Sequence, residues 1–183
     1  VVTTTQDYWR FQNTLLQRSE REGIVLRSIT LSVPVESTDE IVARFAAAIE
    51  GLTDARLDTP YRPGGWSPRQ IVHHLADSHM NAYIRIKWAL TENNPQIKAY
   101  DENLWANTPE TKLDISISME LLKALHAKWV ALLNGLTSAE LRKTFIHPAS
   151  GKEIPIDRQI AIYAWHGKHH VAHITTLREN KGW

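Results

Sequence analysis

The chain has 183 residues, of which 43% are hydrophobic and 22% charged, as expected for one globular domain with a substantial core. Its formal net charge is +1 and its basic residues are not clustered, which argues against a nucleic-acid partner and a membrane-surface anchor. It has no cysteine, which excludes disulfides, thiolate metal ligands and a catalytic thiol and leads us to expect a cytoplasmic location.

Residues 1–36 show no clear periodicity, and we assign them to an N-terminal extension of a domain that spans 37–183. The first helix is predicted to begin at Ser37, because Ser37 and Glu40 have the spacing of a capping box. The stretch 57–65 is rich in proline and glycine and is therefore predicted to be a loop.

The second helix has a clear start in the sequence. Ser67 is the predicted N-cap, Pro68 stands at the first helical position and Gln70 at the third. The helix is expected to end near Leu90, and a long connection, 91–113, follows it. A connection of this length in a compact domain often forms a lid over a site.

Two further helices are predicted in the second half of the chain. The third occupies about 116–134, and the fourth begins near Asp157, its predicted N-cap, and ends near Asn180. A short hairpin is predicted around 147–156. Four long helices joined in this way predict an all-α fold, a four-helix bundle.

The predicted fourth helix carries four histidines in its middle. At about 100° per residue, His166, His169 and His173 share one stripe and Lys168 lies on the opposite side, so the stripe is predicted to face inward. A pair spaced i, i+4, such as His169 and His173, can direct two imidazole nitrogens at one metal ion. His170 stands where zinc proteases carry a glutamate base, which argues against that class of enzyme.

The second helix supplies the candidate for a third ligand. His74 lies at the edge of the apolar stripe of this helix, whereas His73 lies nearly opposite the stripe and is predicted to be exposed. A lone inward histidine is more often a hydrogen-bonded core residue, but three on one face with a second cluster favour a metal. Three imidazoles leave open coordination positions, as in catalytic zinc sites. Without a carboxylate ligand, Zn²⁺ is favoured over Fe²⁺, with Ni²⁺ and Co²⁺ as alternatives.

Several stretches resemble a known family: 57–67, 69–81, Tyr100-Asp101, Leu125-His126 and 163–174. They are similar to the YfiT branch of the DinB superfamily, and the likeness covers roughly 45–183. The resemblance implies a four-helix bundle with one divalent metal ion, held by the residues at matching positions, His74, His169 and His173. It also implies a homodimer.

The resemblance implies a metal-dependent enzyme with a small-molecule substrate. Members of this family are described as metal-dependent hydrolases or as bacillithiol S-transferases, in which the metal activates the thiol of a small cofactor. The absence of cysteine is compatible with a thiol supplied from outside. Three hypotheses follow: transfer of a low-molecular-weight thiol to a small electrophile, hydrolysis of a small ester or amide, and a non-catalytic metal-binding bundle.

Other side chains are candidates for steps that do not bind metal. His166 is a candidate proton shuttle or partner of a ligand, with a hydrogen bond at the edge of the core as the alternative. Arg85 is a candidate for orienting the anionic end of a ligand, and Asp77 is interpreted as an ordinary surface residue paired with it.

The remaining candidate residues lie in or just after the Pro- and Gly-rich loop, or are histidines outside the proposed ligand set. Tyr61, Arg62 and Trp66 are predicted to line the mouth of the site, and Tyr61 and Arg62 are predicted to bind the cofactor. Structural or exposed positions are assigned to the three other histidines of interest: His126, His147 and His170.

Overall fold

The computed structural model describes residues 36–183, with side chains from Glu40 onward. The predicted N-terminal extension up to residue 35 and the side chain of the predicted cap Ser37 lie outside the described residues. Within 36–183 there is no helical segment with the length and hydrophobicity that crossing a bilayer requires. In chain order the elements are α1 (Glu36–Ile49), α2 (Asp54–Leu57), α3 (Pro68–Thr91), α4 (Glu102–Trp105), a 3-10 helix (Pro109–Lys112), α5 (Ile115–Asn134), α6 (Ser138–Leu141), β1 (Thr144–His147), β2 (Lys152–Pro155) and α7 (Ile156–Lys181).

The four long helices, α1, α3, α5 and α7, form a four-helix bundle, which confirms the predicted fold class. α1 and α3 each pack against both α5 and α7. In α1 the buried residues are spaced as one face of a helix requires. All four helices contribute to one cluster of buried side chains: Ile41, Phe45, Ala48, Ile71, Leu75, Ala76, Leu122 and Ile174.

Helix α3 begins where its capping residues predict. The Ser67 hydroxyl accepts a hydrogen bond from the Gln70 backbone amide at 3.3 Å, and the Gln70 side chain accepts one from the Ser67 amide at 3.1 Å. This reciprocal capping box satisfies two amides that would otherwise have no partner at the helix end. The same Gln70 side chain donates to the carbonyl of Ala106 at 3.0 Å, which ties the long connection to the start of α3.

The connection between α3 and α5 contains more regular structure than predicted. Its α4 turn is capped by Asp101, whose carboxylate accepts hydrogen bonds from the amides of Asn103 and Leu104 at 2.9 Å each. Earlier in the connection, Ile97 donates to the carbonyl of Ile146 at 3.0 Å, so the chain lies beside β1. The connection therefore contacts β1 near its start and the first turn of α3 further along.

The predicted hairpin is present as an antiparallel pair, in which Phe145 of β1 faces Ile154 of β2. The predicted N-cap Asp157, however, is wrong, because α7 begins at Ile156 and its N-cap is Pro155. Pro155 is extended (φ −72°, ψ 153°) and is the last paired residue of β2. The strand therefore leads directly into the helix, and Asp157 lies within the first turn.

Candidate metal centre

Three imidazoles from α3 and α7 meet inside the bundle. Nε2 of His166 lies 3.4 Å from Nε2 of His74 and 3.2 Å from Nε2 of His170. His166 and His170 are one turn apart on α7, so their rings point to the same side of the helix. One possible ligand atom from each of the three residues lies within 4.8 Å of the others. We call these three residues the histidine cluster.

Burial keeps the histidine cluster uncharged at neutral pH. Desolvation lowers the pKa of His74 to about 3. It also holds the pKa values of His166 and His170 well below the ordinary value, and the neighbouring imidazoles lower them further. Neutral imidazole nitrogens are the form that binds a metal ion. Three such nitrogens, converging at one point with no carboxylate among them, fit Zn²⁺, Ni²⁺ or Co²⁺.

The structure brings His166 and His170 to His74, whereas the predicted ligand pair was His169 and His173. These two rings are half-buried and lie 4.2 Å apart, centroid to centroid. His169 stacks on Trp165 at 4.7 Å, and His173 stacks on Tyr61 at 4.1 Å. Burial lowers the pKa of His173 to about 4. This second pair therefore lies beside the cluster rather than within it.

The difference comes from the face of α7 that the bundle buries. The sequence-based stripe was centred on His169, but the buried stripe passes through His170. The spacing of the apolar residues carries this signal, since a helix is oriented in a bundle by its largest apolar face. The buried small and apolar residues of α7 that mark the stripe are Ile156, Ile160, Tyr163, Gly167, Ile174 and Leu177.

His73 is buried, and its predicted exposure is wrong. Only 5% of its surface is exposed. Nδ1 of His73 lies 2.7 Å from the Ser118 hydroxyl on α5, and Nε2 lies 3.2 Å from the carbonyl of Leu113. Desolvation lowers its pKa. The face of α3 opposite its apolar stripe is thus covered by α5 and by the end of the long connection.

The loop before α3 forms a wall beside the histidine cluster. The Trp66 ring lies 4.5 Å from His74, and the Tyr61 ring stacks on His173 with an interplanar angle of 10°. Arg62 is exposed, and its Nε donates to the Tyr61 hydroxyl at 3.1 Å. Tyr61 and Arg62 therefore lie at the outer side of the site, where a mouth was predicted.

Gly65 keeps this loop tight. A Cβ atom at this position would lie 2.8 Å from Cγ of Arg62 and 2.9 Å from Cε1 of Tyr61. The Tyr61 amide also donates to the carbonyl of Trp66 at 3.0 Å, which closes the loop on itself. The glycine thus lets the Tyr61 side chain fold back toward α7.

A hydroxyl-rich layer lies next to the histidine cluster. The Tyr163 hydroxyl lies 3.1 Å from the Ser78 hydroxyl, and the Tyr163 ring lies 5.3 Å from the ring of His166. Tyr100, from the long connection, also hydrogen-bonds Ser78, and burial raises its pKa above the ordinary value. These hydroxyl groups can donate hydrogen bonds to a bound ligand.

Arg85 is buried on the same side of α3 as Ser78. Only 8% of its surface is exposed. Its Nη2 donates to the carbonyl of Lys98 at 3.5 Å, and its Cζ lies 5.8 Å from the centroid of the Tyr100 ring. Nε of Arg85 has no hydrogen-bond partner, and among the described side chains no carboxylate forms an ion pair with it.

Asp77 does not form the surface pair with Arg85 that we expected. It is half-buried, and desolvation, followed by the charge of Glu110, raises its pKa to about 6. Arg85 lies two turns further along α3 and is buried. The other two histidines of interest, His126 and His147, are buried as well.

Comparisons with known proteins agree with this architecture. A sequence profile of the DinB superfamily matches residues 38–174. A relative from Bacillus mycoides is 51% identical over 149 residues, which cover 81% of this chain and 86% of the relative. One from Oceanobacillus iheyensis is 48% identical over 158 residues, covering 86% of this chain and 91% of the relative. Both relatives are named provisionally as metal-dependent hydrolases.

Two solved structures share the fold. YfiT from Bacillus subtilis, described provisionally as a metal-dependent hydrolase with an unusual four-helix bundle topology, matches with a TM-score of 0.80 and 47% identity, covering 81% of this chain and 86% of its own. A mycothiol-dependent maleylpyruvate isomerase matches with a TM-score of 0.64 and 13% identity, covering 80% of this chain and 61% of its own. The second likeness concerns the fold alone.

Proposed function

Because this chain belongs to the DinB superfamily, we propose that it is a metal-dependent enzyme in which His74, His166 and His170 hold one divalent ion. The observation that carries this proposal is the convergence of three uncharged Nε2 atoms, two from buried side chains and one from the half-buried His166, with Nε2–Nε2 separations of 3.2 and 3.4 Å at His166. An N–H group of one neutral imidazole can donate to a nitrogen of a second, but a third nitrogen at the same point then has no proton to accept. A cation satisfies all three lone pairs at once.

The bound ion would act as a Lewis acid and lower the pKa of a thiol or water ligand. The chain contains no cysteine, so a thiol nucleophile has to come from outside. A free thiol has a pKa near 8.5 and water one near 15.7, so a thiol is activated with far less help from a base. We therefore propose transfer of a low-molecular-weight thiol to a small electrophile as the reaction. The thiol sulfur forms a bond to carbon, the leaving group departs with its electron pair, and the thiol proton passes to solvent.

The residues around the histidine cluster supply binding surfaces for the two reactants. Tyr61 and Arg62, at the outer side, offer an aromatic face and an exposed cation to the thiol cofactor. The Trp66 ring, 4.5 Å from His74, keeps water away from that side of the cluster. The hydroxyl groups of Ser78 and Tyr163 lie on the inner side and can orient a polar group of the electrophile.

Arg85 has the properties of an anion-binding residue. A buried guanidinium with no carboxylate partner is costly unless an anion is supplied. It is three turns along α3 from His74, on the side of the helix that carries Ser78. We propose that it binds the anionic end of the thiol cofactor or of another elongated ligand.

The experiment that tests thiol transfer combines zinc-loaded protein and monochlorobimane with bacillithiol, glutathione or cysteine in parallel. We expect a fluorescent adduct to form at a rate that requires both the metal and one particular thiol. Chelated protein is the control. Turnover of a simple ester without any thiol-dependent rate would favour hydrolysis, the second candidate, which the names of the relatives support.

A further inference from the structure

A different pair of histidines, one on α3 and one on α5, lies behind the histidine cluster. His79 and His126 are each 1% exposed. Nδ1 of His79 lies 2.8 Å from Nε2 of His126, and the two rings are 5.0 Å apart with an interplanar angle of 22°. Desolvation is the first cause that lowers the pKa of His79 well below its ordinary value. A hydrogen bond therefore joins the two facing nitrogens, and its direction depends on the tautomers of the two rings.

Aromatic side chains hold the His79 ring in place. Trp129 and Tyr163 meet it edge to face at 5.8 and 5.1 Å. The next ring beyond is His166, whose centroid lies 5.7 Å from that of His79. At 5.7 Å, this centroid distance is 0.7 Å longer than the 5.0 Å between the hydrogen-bonded rings of His79 and His126.

Two buried nitrogens without a partner belong to these neighbouring rings. They are Nε2 of His79 and Nδ1 of His166, neither of which has a hydrogen bond within the described part of the chain. Leaving a buried polar atom unsatisfied costs about 1–3 kcal/mol. A native protein that carries two such atoms on adjacent rings calls for an explanation.

The tautomers that metal binding requires make the two atoms complementary. His166 presents Nε2 to His74 and His170, so a metal bound there leaves its proton on Nδ1, as a donor. If His79 donates from Nδ1 to His126, its Nε2 is an acceptor. The unpaired donor of His166 and the unpaired acceptor of His79 then belong to neighbouring rings.

On the basis of the metal site proposed above, we propose that His79 is a positioning residue for the ligand His166. It accepts a hydrogen bond from Nδ1–H of His166 when metal is bound, and it donates from its own Nδ1–H to His126. The chain of three imidazoles fixes the tautomer and the ring orientation of His166. Partners of this kind typically change metal affinity by about 10–100-fold.

Two matched variants separate this role from simple packing. In H79Q the side-chain amide reaches the position of Nε2, toward His166, whereas in H79N it reaches only the position of Nδ1, toward His126. We expect zinc affinity, measured by competition with a chromophoric chelator, to fall by about 10–100-fold in H79N and by much less in H79Q. A packing role would instead weaken both variants in proportion to their loss of thermal stability, measured without metal.

The wild-type protein provides a second readout that does not depend on a variant. Long-range ¹H–¹⁵N correlation spectra of the zinc-loaded protein should show the proton of His79 on Nδ1 and that of His166 on Nδ1. A proton on Nε2 of His79, or equal zinc affinity of H79N and the wild type, would overturn the role of His79 while leaving the metal site intact. Failure of the wild type to bind zinc would overturn both.

Discussion

Arg85 is a buried side chain with no carboxylate partner among the described residues. The residue is 8% exposed, and among the described residues its guanidinium has one long hydrogen bond, 3.5 Å to the carbonyl of Lys98. Replacing an unpaired buried charge with an apolar side chain of similar length is often neutral or stabilising. The stability of the fold alone therefore gives no reason for an arginine at this position.

The variant R85M tests the role of this charge in binding. We expect kcat/KM with an anionic thiol such as bacillithiol to fall by about 10–100-fold, because a charge-assisted hydrogen bond contributes about 1.5–3 kcal/mol. The rate with the neutral thiol 2-mercaptoethanol should change little. Equal losses with both thiols, or a large fall in thermal stability, would contradict an anion-binding role.

Single positions on α3 show how far sequence alone can reach. His74 was placed in the site by its position at the edge of the apolar stripe, and the structure places it in the histidine cluster. The same reasoning predicts that His73 is exposed to solvent, yet Ser118 and the carbonyl of Leu113 cover it. Helical periodicity gives the angle between two side chains, but it does not reveal what a distant connection packs onto either of them.

At the scale of whole elements, local capping signals were more informative than the orientation of a helix. The start of α3 follows from Ser67 and Gln70, which act within one turn. The inward face of α7 depends instead on how three other helices pack against it. Because α7 has polar and small residues all around its middle, its histidines were assigned to a stripe centred on His169 rather than on His170.

Gly167 sets the separation of α1 and α7 next to the histidine cluster. A Cβ atom at Gly167 would lie 2.7 Å from both Cδ1 and Cγ2 of Ile41. G167A is therefore expected to destabilise the fold by up to about 2 kcal/mol, since overpacking costs about 1–3 kcal/mol and the gain in helix propensity offsets up to about 1 kcal/mol of it. Denaturant unfolding measures this change.

A neighbouring position provides the control for Gly167. Lys168 is exposed on the same helix, so K168A should change stability by less than about 0.5 kcal/mol. In the double variant I41A/G167A, the cost of adding the methyl group should largely disappear, because the side chain that it meets has been shortened. An unchanged cost in that background would show that the strain lies elsewhere.

At the scale of the whole molecule, the buried histidines make the metal-free fold sensitive to acid. Burial lowers the pKa of His74 to about 3 and that of His147 to about 4. A histidine with a lowered native pKa takes up its proton first in the unfolded chain. Its stabilising contribution is therefore complete above pH 6.5 and is lost as the pH falls toward the native pKa. Asp77 acts with the opposite sign, because its pKa is raised to about 6, but it is one carboxyl against several histidines.

The melting temperature of the chelated protein should therefore fall steadily between pH 7 and pH 5. In H147Q this decline should be less steep, because one proton-binding group of the unfolded chain is absent. His147 is not part of the histidine cluster, so the variant leaves the proposed metal ligands in place. A melting temperature that stays constant from pH 7 to pH 5 would contradict the burial of neutral imidazoles.

The most direct measurement of the metal site is zinc binding by four single variants of α7. The wild type is expected to bind one zinc ion per chain. The zinc affinity of H166A and H170A should fall by more than about 100-fold, because each variant removes a metal ligand. Removal of a hydrogen-bond partner of a ligand costs up to about 100-fold. H169A and H173A, which change the neighbouring stacked pair, should bind within about tenfold of the wild type. Full affinity in H166A and H170A, with binding lost in H169A and H173A, would contradict the site and assign the metal to the other pair.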